Sequence, residues 1–214
     1  NYVCFGSDAT TCPADNLYRI IGVFNGEIKL IKNISIENMA WDSGNNNTWC
    51  STRLNTGTLN GTYLSGLGTW ASMIAEHEWK VGGMAWSNSN TAKQYYATEL
   101  GNSDGNSITY RAKIGLMYVT DYGYAASGKH WTTALFNYVS ATDDNWMYLG
   151  TDEWTISRNS SVASNVFGVS NSGFVSYSNV SNTNAVRPSF YLESSVGISG
   201  GTGTASDPYR LSVA

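Results

Sequence analysis

Apolar and polar positions are patterned most clearly near the N-terminus. Residues 18–24 are almost all apolar, Asn25-Gly26 follows, and Glu27–Lys32 then sets Ile28, Leu30 and Ile31 between charges. Asn-Gly accepts the positive φ angles of a type I′ turn, so the pattern predicts a β-hairpin. The nearly unbroken apolar character of the first strand predicts a central place in its sheet.

Further on the period changes. Trp70, Met73, Ile74 and His77 fall at i, i+3, i+4 and i+7, the spacing of one helical face. Leu54, Leu59, Tyr63 and Leu67 are more loosely spaced among glycines and predict two helical turns. Residues 41–49, WDSGNNNTW, are turn formers and predict a loop. From residue 80 the pattern returns to short strands: 80–86, 110–119, 145–150, 153–158, 165–170, 173–178 and 185–192. Ser170–Gly173 reads as a hairpin turn between two of them. The last run, AVRPSFYL, is unusual because Arg187 and Pro188 interrupt an apolar strand with a fixed charge and a missing backbone donor.

No repeat or linker divides the chain. The expectation is one domain over residues 1–214, α+β, β-rich with two or three short helices and mixed sheets.

Composition narrows the setting. A chain of 214 residues can bury roughly 70% of its unfolded surface. Twelve Lys and Arg face sixteen Asp and Glu, for a net charge of -4, and no basic stripe stands out, which speaks against a nucleic-acid partner. Charged residues make up only 13% and hydroxyls and amides take their place, as in secreted β-rich proteins, while 42% hydrophobic residues rule out a disordered chain. No apolar run reaches 18 residues, so no membrane span is expected. The sequence opens abruptly on a strand-like run, NYVCFG, which suggests a mature or trimmed product. Cys4 and Cys12 flank a short polar loop and are expected to form a disulfide, leaving Cys50 free and buried.

Candidate chemistry is sparse. His77 and His130 are the only histidines, and no zinc-ligand spacing accompanies them. His77 reads as a core residue and His130 as a surface one. No G-x-S-x-G occurs, and Cys50 has no cation beside it to make a thiolate. Asp143-Asp144 and Asp152-Glu153 are adjacent pairs whose members would point to opposite faces of a strand, so neither is a ready acid/base dyad. Loops 42–47 and 142–145 carry oxygen ligands that suit calcium, although ordinary turn chemistry accounts for them equally. Sequons occur at Asn33, Asn46, Asn60, Asn159 and Asn179. The strongest binding signal lies at 145–159, where Trp146, Tyr148, Trp154, Arg158 and Asn159 combine aromatics with amides and charge, as sugar or peptide surfaces do.

Several stretches resemble a bacterial domain of unknown function found in surface and secreted proteins of Gram-positive gut bacteria. They are NYVCFG, NLYRIIGVFNGEIKLIK, NGTYL, IGLMYVTDYGYAAS and EWTISRNSS, with the closing NAVRPSFYL. The closing half is also similar to formylglycine-generating-enzyme-like and C-type-lectin-like domains, where a W-x-x-x-R strand leads to a final G-x-R-P strand. Here Ala185 stands where that pattern has Gly. The copper-binding cysteines of the formylglycine-generating enzymes have no counterpart near the C-terminal end.

The resemblance implies a compact fold in which Arg187 is a buried structural arginine paired with Asp152 or Glu153. Pro188 then lies where the strand leaves its ladder or at an edge. It also implies an extra strand before NYV that this sequence lacks, leaving an edge open to a neighbour's strand. The functional expectation is a non-enzymatic extracellular surface protein, either a subunit of a pilus-like filament or an adhesin. The alternative is a lectin-like ligand-binding module, including a phage receptor-binding protein. Partners would be further copies of the chain or a surface glycan or protein, with no cofactor beyond a possible calcium ion.

Overall fold

A computed structural model describes residues 1–103 and 107–213. Strand β1 (Tyr2–Cys4) pairs antiparallel with β2 (Leu17–Phe24), which turns into β3 (Glu27–Lys32). Asn25 (φ 52°) and Gly26 (φ 86°) supply the left-handed turn that the Asn-Gly pair predicts. β3, not β2, is the central strand: Leu30 and Ile31 are fully buried, whereas β2 ends in exposed Val23 and Phe24. The apolar end of β2 projects beyond the core and walls a surface cleft.

β4 (Glu37–Ala40) follows, then the 41–49 loop, closed by Asp42 Oδ2 accepting from the N–H groups of Gly44 (2.8 Å) and Asn46 (3.2 Å). Residues Leu54–Tyr63 form a π-helix that runs into the single turn α1 (Leu64–Gly66), so the two predicted turns are one continuous segment. The helix predicted through His77 does not form. A 3₁₀ segment covers Gly68–Met73. Beyond it Ile74 bridges Leu192, and Ala75 N–H donates to the Tyr191 carbonyl at 2.9 Å. These tertiary bonds hold the chain extended, and His77 lies in β5 (His77–Lys80), paired with β6 (Thr109–Ala112).

Residues 81–86 and 145–150 are loops rather than strands, and 110–119 splits. β6 and the short β7 (Ile114–Gly115) are followed by α3 (Val119–Ala125). Between β5 and β6 lies α2 (Ala92–Glu99), absent from the sequence expectation although Thr91 and Gln94 form a reciprocal capping box at its start.

The C-terminal half contains β8 (Glu153–Arg158), β9 (Asn165–Val169), β10 (Val175–Asn179), β11 (Thr183–Val186), β12 (Ser189–Tyr191), β13 (Val196–Gly200) and β14 (Arg210–Val213). The turn at Ser170–Gly173 joins β9 to β10 as predicted. One five-stranded sheet has the order β1-β2-β3-β12-β7 and the other β10-β9-β8-β11-β4, with β5–β6 and β13–β14 as separate ribbons. Two adjoining hydrophobic clusters fill the interior, one around Trp41, Trp79, Trp154 and Phe190, the other around Tyr95, Met117, Tyr122 and Phe167. The architecture is α+β in one domain.

Arg187-Pro188 sits where the chain leaves one sheet for the other. β11 belongs to the second sheet and β12 to the first. Proline has no N–H to give a ladder, and a crossover needs none. The flanking carbonyls remain in use: Val186 O accepts from Ile36 N and Pro188 O from Lys32 N, both at 2.9 Å. Arg187 crosses the junction with its guanidinium buried. Nε and Nη2 donate to Glu153 at 2.5 and 2.9 Å, and Nη2 also reaches the Met147 carbonyl at 2.7 Å. Of the two candidate partners Glu153 is the one used. Asp152 faces outward and caps the 170–173 turn through Asn171 N (2.8 Å).

Cys4 and Cys12 form the expected disulfide. Cys50 is exposed, not buried, because its neighbour Trp49 takes the inward position of that turn. The edge of β1 is not open. On the side away from β2, Tyr2 N donates to Gly203 O (2.9 Å), Cys4 N to Tyr209 O (3.0 Å) and Tyr209 N back to Tyr2 O (2.8 Å). At the far end of the same sheet Asn60 stands in for a strand. Its Oδ1 accepts from Ile114 N (2.9 Å) and its Nδ2 donates to Ile114 O (2.8 Å). That sequon is therefore committed to the fold.

Candidate functional site

The five residues expected to form a binding surface do not come together. Trp146 and Tyr148 lie in the loop before β8, whereas β8 itself is buried on both faces. Trp154 is 1% exposed, with its indole N–H donating to the Met39 carbonyl at 2.8 Å. Asn159 is buried and its Oδ1 caps Ser161 N (3.0 Å). Arg158 binds the Gly82 carbonyl through Nε (2.9 Å), and Tyr148 donates to the Asn171 carbonyl (2.5 Å). Trp146 alone faces a sizeable cavity.

That cavity, of about 240 Å³, is walled by Ile21, Phe24, Tyr96, Leu100, Tyr124 and Trp146, with Thr120 and Asp121 at its floor. The four aromatic walls come from different parts of the chain. Phe24 is the tip of β2, Tyr96 lies on α2, Tyr124 on α3, and Trp146 follows the bend after residue 144. Phe24, Tyr96 and Tyr124 are between 39% and 49% exposed, more than large aromatics in a closed core would be. The Arg19 guanidinium stacks on the Trp146 ring at 4.4 Å and donates to its carbonyl at 3.1 Å, which fixes the ring as one side of the cleft.

Beneath the floor lies a buried ion pair. Lys29 Nζ is 2.5 Å from Asp121 Oδ2, with the two side chains 1% and 6% exposed. Asp121 also accepts from Tyr118 N at 2.8 Å, closing the first turn of α3. The ammonium is surrounded by the rings of Tyr118 (4.3 Å), Tyr191 (5.3 Å) and Trp79 (5.4 Å). Burial disfavours its charge, but Asp121 and Tyr191 outweigh burial and raise its pKa. Lys29 thus holds its proton and is no free nucleophile.

A second cavity of about 300 Å³ adjoins on the other side of Phe24 and Asp121, opening past His77 and Tyr191. His77 stacks on Tyr191 with ring centres 3.7 Å apart. Burial, with Lys29, Lys80 and Arg111 nearby, lowers its pKa to about 4, so the imidazole is neutral near pH 7.

Behind α3, Glu99 is fully committed. It accepts from Val119 N (2.7 Å), Thr120 N (3.0 Å) and the Ser157 hydroxyl. Burial nevertheless raises its pKa to about 6. The Thr120 side chain lies close enough to Glu99 to oppose that rise, yet its hydroxyl makes no hydrogen bond of good geometry. Of the Asp143-Asp144 pair, Asp144 is occupied: its Oδ2 meets Lys129 (2.5 Å) and His130 (3.1 Å). Among the described residues no three potential ligands gather as a metal site, and Asp42 and Asp144 of the loops considered for calcium bond within the chain.

The sequence reading therefore found Trp146 and missed Phe24, Tyr96 and Tyr124. Phe24 was hidden in an apolar strand, and the tyrosines lie on α2 and α3, read as non-helical. No protein-family model, curated protein or solved structure matches this chain.

Proposed function

We propose that this chain is a non-enzymatic extracellular bacterial surface protein that acts by binding, in the manner of an adhesin, with the aromatic cleft as its contact site. The observation that carries the reading is the cleft itself: four aromatic rings from four separate elements line a cavity whose polar floor is already neutralised by Lys29 and Asp121. Such a surface gives contact area at little conformational cost and offers no unpaired base or nucleophile. The disulfide fits an oxidising compartment. Among the described residues no helix is long and apolar enough to cross a membrane.

The test is a peptide and glycan array probed with the wild type and with Trp146→Ala and Tyr124→Ala variants. Hits lost in both variants, with the thermal midpoint kept within a few degrees, support the reading. Hits that survive both changes overturn it.

A filament subunit is the second reading. Among the described residues β10 and β4 end the second sheet with no further strand beside them, and such edges accept a neighbour. Strand exchange at β1, by contrast, would have to displace the 203–209 segment. Electron microscopy of native material separates the two: regular filaments favour a subunit, single particles the adhesin.

A further inference from the structure

We propose a second site, independent of the aromatic cleft, that takes a single neutral sugar ring: the polar hollow on the second sheet over Gly168. The hollow has a volume of about 170 Å³ and is lined by Asp152, Gly168, Phe174, Ser176, Ser178 and Asn184. Its floor is backbone. A side chain at Gly168 would start 2.8 Å from the Glu153 carbonyl, so the close approach of β8 and β9 requires glycine and leaves a depression.

Asn184 carries the inference. Among the described residues five asparagines are buried: Asn47, Asn55, Asn145, Asn159 and Asn184. The first four use their side chains in hydrogen bonds to the chain. Asn184 is 8% exposed, and among the described residues its amide bonds to nothing. Its polar atoms open on the hollow rather than into a dry interior, so they are free to bond a group that enters it.

The neighbours are in the same condition. The Ser176 and Ser178 hydroxyls face the hollow without protein partners, and Asp152 has one oxygen on Asn171 N and the other uncommitted. No cationic side chain lines the hollow.

This set asks for a partner with several groups that both donate and accept, no negative charge, and one apolar face for Phe174. A neutral pyranose meets all three: adjacent hydroxyls donate to Asp152 and accept from the Asn184 amide. The volume is below the roughly 300–1,000 Å³ of pockets for larger ligands, which limits the occupant to one ring. An acidic sugar is disfavoured by Asp152.

The experiment is a titration of the ¹⁵N-labelled chain with glucose, galactose, mannose, N-acetylglucosamine and glucuronate, followed by amide shifts. The expected result is saturable movement of the Asn184 side-chain amide and of residues 176–178 with at least one neutral sugar, at a Kd of about 1–10 mM, and none with glucuronate. Ser176→Val fills the hollow from an exposed sheet edge and should weaken binding at least about tenfold with an unchanged unfolding midpoint. No movement with any neutral sugar, equal binding by Ser176→Val, or the same shifts produced by calcium alone overturns the proposal. Shifts confined to Trp146 and Tyr124 would also overturn it, while leaving the cleft reading intact.

Discussion

Two buried ion pairs tie distant parts of this chain together, and they differ in what surrounds them. Arg187–Glu153 sits at the crossover between the sheets with its forked contacts and the Met147 carbonyl all satisfied by the chain. Lys29–Asp121 lies under an open cavity, and Asp121 reaches the lining of both adjoining cavities. One pair is sealed and serves connectivity, since a guanidinium at the junction orders Glu153 and the 147 turn together. The other is a floor, neutral overall, on which an aromatic cleft rests.

The largest test of that difference is Glu153→Gln. It leaves the Arg187 guanidinium buried without its counter-charge and should cost about 3–5 kcal/mol in urea unfolding. The deficit should be full near pH 7 and shrink on acidification, because burial raises the pKa of folded Glu153 and its protonation removes the same counter-charge from the wild type.

Lys29→Met should cost less, about 2–3 kcal/mol, because the cavity gives Asp121 access to water. A deficit in Lys29→Met as large as that in Glu153→Gln would erase the distinction between the pairs.

Reduction of Cys4–Cys12 should lower stability by about 2–3 kcal/mol, read from the shift in unfolding midpoint. Asn60→Ala uncovers the backbone of Ile114 at the outer edge of the same sheet that holds Lys29, and should cost about 1–3 kcal/mol.

The smallest effect concerns pH. His77 has its folded pKa lowered to about 4, so the unfolded state binds the proton first and stability falls as pH drops from 6.5 toward 4. Glu99 has its folded pKa raised to about 6, so its contribution is full below 4.5 and is lost as pH rises through 6. The two oppose each other and should leave a shallow profile. His77→Phe keeps the stack on Tyr191 and removes one arm, so unfolding midpoints at pH 4.5 and 7 should then differ in favour of the acid side.

The legible parts of the sequence were those decided within a few residues. The Asn25-Gly26 hairpin, the 170–173 turn and the Cys4–Cys12 loop follow from local chemistry and match the structure. The Arg187 crossover was legible as an anomaly inside a strand, though its choice of Glu153 over Asp152 depends on which face of β8 turns inward. What the sequence hid was set by tertiary bonds: Ile74 and Ala75 are drawn straight by Leu192 and Tyr191 against a helical period. The cleft combines four elements, and the spacing of Phe24, Tyr96, Tyr124 and Trp146 along the chain carries no trace of their meeting. The sequence pointed to 145–159 as a surface because aromatics and amides were counted without regard to β8 being buried on both faces, which keeps Trp154 and the adjoining Asn159 inside.

The seam between β1 and the 203–209 segment has a mechanical consequence. Val3 and Tyr209 run parallel and adjacent. A pull applied through Asn1 in one direction and through the last strand in the other would load their backbone bonds together, in shear, rather than peel them one at a time. Force reaching Cys4 would pass through the disulfide to Cys12, bypassing the loop between them. Tension applied at these two ends would then be met by the seam before the core is strained.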